Sequence, residues 1–408
     1  MNVMNPAAIV LAPHGTSKDV DIITSSLTFV RTHLDMDVAY LSEFVGEKMV
    51  FRAVNAPGLE GMISIGQHML VEQAYCRHII EGRLPELIAD TNDEPFTQTF
   101  EITATLPIRA HVSVPIRRAD GSVYGMFCCL SREPRPSLNA RDLAVMRAFA
   151  SLSADQVNVK LSSDLAAQVK RAAIDDILEK QRFEIALQPI LRLQNLEIAG
   201  YEALCRFSTT PYRAPNVWFD DAADVGLQVE LELYVIAEAL KALHHLPDHC
   251  YLSVNISPAT LATGKLSALV RAAGGARILI EITEHDAIAD IDTLLLEIDR
   301  LRECGAKIAV DDAGAGYSGL QQIVRLRPDV IKLDMSLTQD IDKDLARRSL
   351  ASAMVQFARD TNAHVVAEGI ETEAEMRTLR SIGVEMGQGF YLGRPKLVSL
   401  MFPASKTA

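Results

Sequence analysis

The chain has 408 residues and a formal charge of −13, with a pI near 5.3. That is too long for one ordinary domain and too acidic for a nucleic-acid-binding surface. The first apolar run, Ala7 to Ala12, lies between Pro6 and Pro13 with no Lys or Arg before it, so it does not read as a signal peptide. No later run approaches the length of a membrane span, and the expectation is a cytoplasmic protein with no membrane partner.

After an N-terminal extension, residues 1–19, the chain to residue 137 reads as an α+β domain. Asp21 to Leu34 has helical spacing, and strand-like runs Val38 to Phe44 and Met49 to Ala53 flank a turn at Gly46. Leu70 to Ile80 again reads as helical. Val112 to Ile116 and Val123 to Leu130 flank Asp120-Gly121, a hairpin turn signal. This order, with AYCRHIIEGRLPELIAD ahead of the hairpin, resembles a GAF domain, a family of small-ligand and chromophore sensors. The resemblance implies a small ligand for residues 20–137. Bilin-binding members attach chromophore through a Cys followed directly by His, whereas Arg77 follows Cys76 here, so Cys76 reads as a partly buried thiol.

Six cysteines, at 76, 128, 129, 205, 250 and 304, include no C-x-x-C pair. They fit reduced thiols better than a disulfide framework or a zinc site. Residues 138–182 predict a long helix opened by Asn139 and Asp142, with apolar residues at Leu143, Met146, Ala150, Val157, Leu161 and Leu165. That stripe either pairs with a second copy as a dimer seam or packs on its own sensor domain.

From residue 183 onward, strand-like runs alternate with helical stretches, and each strand carries a polar residue opposite its apolar face. Leu252 and Val254 oppose Ser253 and Asn255; Ile278 and Ile280 oppose Leu279 and Glu281; Ile331 and Leu333 oppose Lys332 and Asp334. Ile308 to Val310 runs into Asp311 and Asp312, followed by Gly314, Gly316 and Gly319. Adjacent carboxylates repel and are costly to bury, which points to divalent cations between them. Converging polar strand ends of this kind build the catalytic mouth of an α/β barrel.

The motifs QPI at Gln188, EALCR from Glu202 to Arg206, NIS at Asn255, EITE from Glu281 to Glu284, DDAGAGYSGL at Asp311, IKLD at Lys332, AEGIET at Glu368 and GQGFYLGRP around Gln388 stand in one order. Together they make residues 183–408 resemble an EAL domain, the cyclic di-GMP phosphodiesterase family with a TIM-like barrel. The resemblance implies hydrolysis of cyclic di-GMP to linear pGpG, two Mg²⁺ or Mn²⁺ ions, and a homodimer.

By that likeness Glu202, Asn255, Glu281 and Asp311 hold the first metal, Asp312 holds the second, and Asp311 bridges them. Lys332 and Glu368 match the catalytic lysine and glutamate, with no single general base assigned. Arg206 matches a phosphate-gripping arginine, and Gln188, Leu204 and Gln388 match the substrate pocket. Glu284 matches the prop of the loop after Asp312, Glu371 a support of the metal site, and Asp334 a residue that holds Lys332. Ala313 stands where the family commonly has an aromatic, Gly319 where it has serine, and Ala223 where it has glutamate. These departures bear on rate and regulation, since none removes a metal ligand. The rival reading is a barrel without turnover that serves as a cyclic di-GMP receptor or docking module.

Overall fold

The computed structural model describes residues 17–282, 291–313 and 324–403, and the chain divides into two compact units between Ala166 and Ala167. In the first unit, β1 (Val38–Val45), β2 (Lys48–Asn55), β3 (His68–Leu70), β4 (Leu87–Ile88), β5 (Ala110–Arg117) and β6 (Val123–Ser131) form one antiparallel sheet in the order β3-β2-β1-β6-β5-β4. Alternation along the strands gives the sheet two apolar faces. Ala39, Leu41, Phe127 and Cys129 meet Leu27 and Val30 of the helix Ser17–His33 together with Met146, Ala150 and Val157. Val38, Tyr40, Met126 and Cys128 face the opposite side, under the helix Tyr75–Ile80.

The β5–β6 connection is wider than a two-residue turn. Arg117 pairs with Val123, and Gly121 within the loop has φ +85°. Only the end of the Leu70–Ile80 stretch is α-helical; it begins with the last residue of β3 and a 3₁₀ turn.

One unbroken helix runs from Ala140 to Lys180. Most of the stripe read as a dimer seam is covered: Leu143, Met146, Ala150, Val157 and Leu161 pack on the helix's own sheet, while Leu165 stays exposed. Leu152 and Val159, seven residues apart and on another face of the helix, stay more than half exposed. The last turns, through Ile174 and Ile177, belong to the core of the second unit, where Lys170 pairs with Asp221 at 2.7 Å and Asp224 at 2.6 Å.

That second unit is a closed eight-stranded barrel. Its strands are β7 (Phe183–Arg192), β8 (Ile198–Phe207), β9 (Tyr251–Ile256), β10 (Ile278–Ile282), β11 (Lys307–Ala313), β12 (Val330–Leu333), β13 (His364–Ala367) and β14 (Met386–Gly387). From β8 to β14 neighbours are parallel, while β7 is antiparallel to both β8 and β14 and closes the ring. A further short strand, β15 (Lys396–Leu397), pairs with β7. The first strand therefore departs from an all-parallel (β/α)₈ barrel.

Strand parity sorts the two faces. Leu252, Val254, Ile278, Ile280, Ile308, Val310, Ile331 and Leu333 belong to the large core between strands and helices. Leu279, Ala309, Val330, Val366 and Met386 form the apolar floor of the barrel. Two residues further along the same strands stand Glu281, Asp311, Lys332, Glu368 and Gln388, so the polar layer sits directly above an apolar plug.

Candidate active site

Lys332 is the centre of that polar layer. Its side chain is 1% exposed, and its Nζ lies 2.5 Å from Glu368 Oε1, 2.7 Å from Glu281 Oε2, 3.1 Å from Asp311 Oδ1 and 4.0 Å from Glu202 Oε1. Burial works to lower the Lys332 pKa, but the surrounding carboxylates outweigh it and hold the ammonium protonated well above its ordinary range. The Glu281 pKa rises as well, which for a carboxyl favours the neutral form. Burial pushes its carboxyl up, Lys332 opposes, and the charges of Glu202, Asp311 and Glu368 add to the rise. Glu368 is pushed up to about 8, chiefly by burial, against the pull of Lys332.

A second row of contacts orders Glu202. Asn255 Nδ2 donates to its Oε1 at 2.9 Å, and Gln388 Nε2 donates to its Oε2 and, at 3.1 Å, to Gln188 Oε1. Gln188 Nε2 in turn donates to the Gly393 carbonyl at 3.1 Å. Gln188 and Gln388, far apart in sequence, thus share one wall with Glu202. Among the described residues no donor meets the buried Gln388 Oε1, which leaves an acceptor at the site. The next residue, Gly389, admits no side chain, because a Cβ there would fall on the backbone of Ile370.

Leu204 and Arg206 follow Glu202 at alternate positions on β8, opposite Ala186 and Glu184 of β7. Both are half-buried, and Arg206 Nη1 donates to the Cys205 carbonyl at 2.8 Å. Glu284 and the side chain of Asp312 lie outside the described residues.

Two residues given supporting roles make other contacts. Asp334 follows the end of β12, where strand parity no longer applies; its carboxylate accepts from Ser336 N at 2.9 Å and caps the short helix Met335–Thr338. The ammonium of Lys332 is held instead by carboxylates from other strands. Glu371 is exposed, and its backbone N–H donates to Glu375 Oε2 at 2.9 Å. The organising acid is the buried Glu375, which also accepts from Thr372 N and Asp340 N and completes the capping box of the helix Glu373–Ser381.

Ser253 has a part that sequence reasoning missed. It shares the inward face of β9 with Asn255, is fully buried, and its Oγ donates to Glu281 Oε1 at 2.5 Å. Inward parity two residues before Asn255 was the available signal. Ser253→Ala leaves a buried carboxylate oxygen without its donor, and is expected to weaken metal affinity or activity by about 10- to 100-fold. Cation titration with unchanged circular dichroism checks this.

Glu202, Asn255, Glu281 and Asp311 bring hard oxygen donors from four consecutive barrel strands to one place. Four carboxyl groups surround one ammonium, and burial first, then the neighbouring carboxylates, raise the Glu281 and Glu368 pKa values. Oxygen donors with excess negative charge fit Mg²⁺ or Mn²⁺.

Residues 169–395 match the EAL domain model and residues 20–157 the GAF domain model. The probable cyclic di-GMP phosphodiesterase PdeD of Escherichia coli K12 is 30% identical over 227 residues, 53% of this chain and 42% of the relative. The cyclic di-GMP phosphodiesterase NbdA of Pseudomonas aeruginosa is 33% identical over 230 residues, 53% of this chain and 29% of the relative. The chain thus spans less than half the length of these curated relatives. The solved structure of the PaMucR phosphodiesterase in complex with c-di-GMP is similar with a TM-score of 0.52 at 29% identity, covering 57% of this chain and 99% of that one.

Proposed function

The chain belongs to the EAL domain family and carries a GAF domain ahead of the barrel, and from that premise we propose that it hydrolyses one phosphodiester of cyclic di-GMP to linear pGpG. The observation that carries this reading is the convergence of Glu202, Asn255, Glu281, Asp311 and Glu368 around Lys332.

In this reading Glu202, Asn255, Glu281 and Asp311 hold one divalent cation, Asp311 and Asp312 a second. Mg²⁺ or Mn²⁺ supplies a more acidic water and neutralises charge on the phosphoryl oxygens. Lys332, fixed among carboxylates, orients the attacking water. Glu368, whose burial favours the protonated form near neutral pH, is placed to hold that water or exchange a proton with it. Arg206 grips a substrate phosphate with its planar fork. Leu204 contacts the nucleotide, and Gln188 and Gln388 meet a guanine or its ribose through their amides.

The test is incubation of the purified chain with cyclic di-GMP and Mg²⁺ or Mn²⁺. Linear pGpG is expected, whereas binding without product would leave the receptor reading. The GAF domain takes a small ligand that regulates the barrel. A cleft of about 530 Å³ lined by Phe51, Met62, Gln67, His68, Glu101 and Thr105 is its proposed site.

The assembly is proposed to be a homodimer formed through the exposed face bearing Leu152 and Val159. Leu152→Glu combined with Val159→Glu is expected to halve the mass measured by light scattering and leave the fold intact. An unchanged mass would place the interface elsewhere.

A further inference from the structure

We propose that the GAF domain contains a buried Cys₂His metal centre, formed by Cys76, His111 and Cys128, for a thiophilic divalent ion of the zinc class. These residues are at most 2% exposed, and their ligand atoms all lie within 4.8 Å of one another. The sheet assembles them although the sequence spacing does not. Tyr40, Cys128 and Ser113 lie side by side across β1, β6 and β5. His111 lies two residues along β5 from Ser113, and Cys76 is carried by the helix Tyr75–Ile80.

The sulfur spacing favours a tetrahedral ion. Two thiolates at a zinc–sulfur distance of about 2.3 Å in tetrahedral geometry stand about 3.8 Å apart, and Cys76 Sγ lies 3.8 Å from Cys128 Sγ. Sulfur atoms in van der Waals contact also reach such a distance, so spacing alone does not decide. The imidazole does more. His111 Nδ1 is buried and has no hydrogen-bond partner among the described residues, a costly arrangement for a ring nitrogen with no ligand to meet.

The surroundings supply the rest of a site. Ser113 Oγ is 2.9 Å from Cys128 Sγ, and Tyr40 Oη is 3.9 Å from Cys76 Sγ. A cavity of about 20 Å³, lined in part by Tyr40, Tyr75 and His111, lies beside the imidazole and has room for one water. That cavity shares Phe51, Ile63, Met69, Ile102 and Leu106 with the open cleft, which gives an entry path.

Charge selects the ion class. Two thiolates, one neutral imidazole and one divalent cation sum to zero, the condition for burial in an apolar core. Loading breaks two S–H bonds, forms two metal–sulfur bonds and releases two protons to solvent.

The test uses the full chain, reduced and stripped with chelator, then titrated with Co²⁺ alone. A sulfur-to-cobalt charge-transfer band saturating at one equivalent and lost on adding Zn²⁺ is expected; oxygen ligands in the barrel cannot produce it. Cys128→Ser removes the band and Cys304→Ser, in the barrel unit, keeps it. No band in the wild-type chain overturns the proposal without reference to any variant. So does a band that survives Cys128→Ser, or a Cys76–Cys128 disulfide formed on mild oxidation of a reduced chain that takes up no metal.

Discussion

Lys332→Met is expected to lower cyclic di-GMP hydrolysis by about 10²- to 10⁴-fold and to destabilise the metal-free barrel by about 3–5 kcal/mol. The two losses have one origin. The ammonium is the buried cation facing Glu202, Glu281, Asp311 and Glu368, and methionine keeps most of its volume while removing the charge. The carboxylates then face one another in a site that water barely reaches, and only protonation or a cation relieves them. Melting of the metal-free variant should therefore fall by roughly 10 °C. Saturating Mg²⁺ or Mn²⁺ should recover much of that loss, because the cation supplies the missing positive charge. Activity should not return with it, since the group proposed to orient the attacking water is gone. A variant as stable as wild type without metal, or one restored in activity by metal alone, would show that Lys332 is only a structural counter-ion.

The layout of this site was legible because β-strands have a period of two. Leu279 with Glu281 and Ser253 with Asn255 share inward faces in the barrel, as their alternation implies. Parity fails once a strand ends: past that point Asp334 turns to cap a helix and Glu371 is exposed. The direction of β7 was not legible either, since alternation is the same in parallel and antiparallel strands. In the first unit the opposite facing of Cys128 and Cys129 follows from the same period. The approach of Cys76 and His111 to Cys128 does not, because it depends on which strands become neighbours and where a short helix crosses them. The apolar stripe of the helix Ala140–Lys180 was visible too, but periodicity cannot say whether a second copy or the chain's own sheet covers it. The sheet covers most of it.

Glu281→Gln should separate stability from function. Glu281 is fully buried, and its raised pKa shows that the metal-free fold holds the ionised form at a cost. Glutamine has nearly the same shape and no charge. Its amide oxygen can accept from Lys332, and its N–H can donate to Ser253 Oγ, which lies 3.4 Å from the Leu279 carbonyl and can donate there. Lys332 keeps three carboxylate partners. The metal-free variant is accordingly expected to melt at or slightly above the wild-type temperature, because the amide puts no charge into a buried site where the carboxylate is disfavoured. Catalysis should fall on the order of 10³-fold, since a neutral amide is a far weaker partner for a divalent cation and for the charge that develops at phosphorus. The stability gained when Mg²⁺ or Mn²⁺ is added should shrink in parallel, because binding stabilises a fold in proportion to the logarithm of ligand over dissociation constant. Equal melting shifts on cation addition in wild type and variant would remove Glu281 from the metal-binding set, whatever the activity.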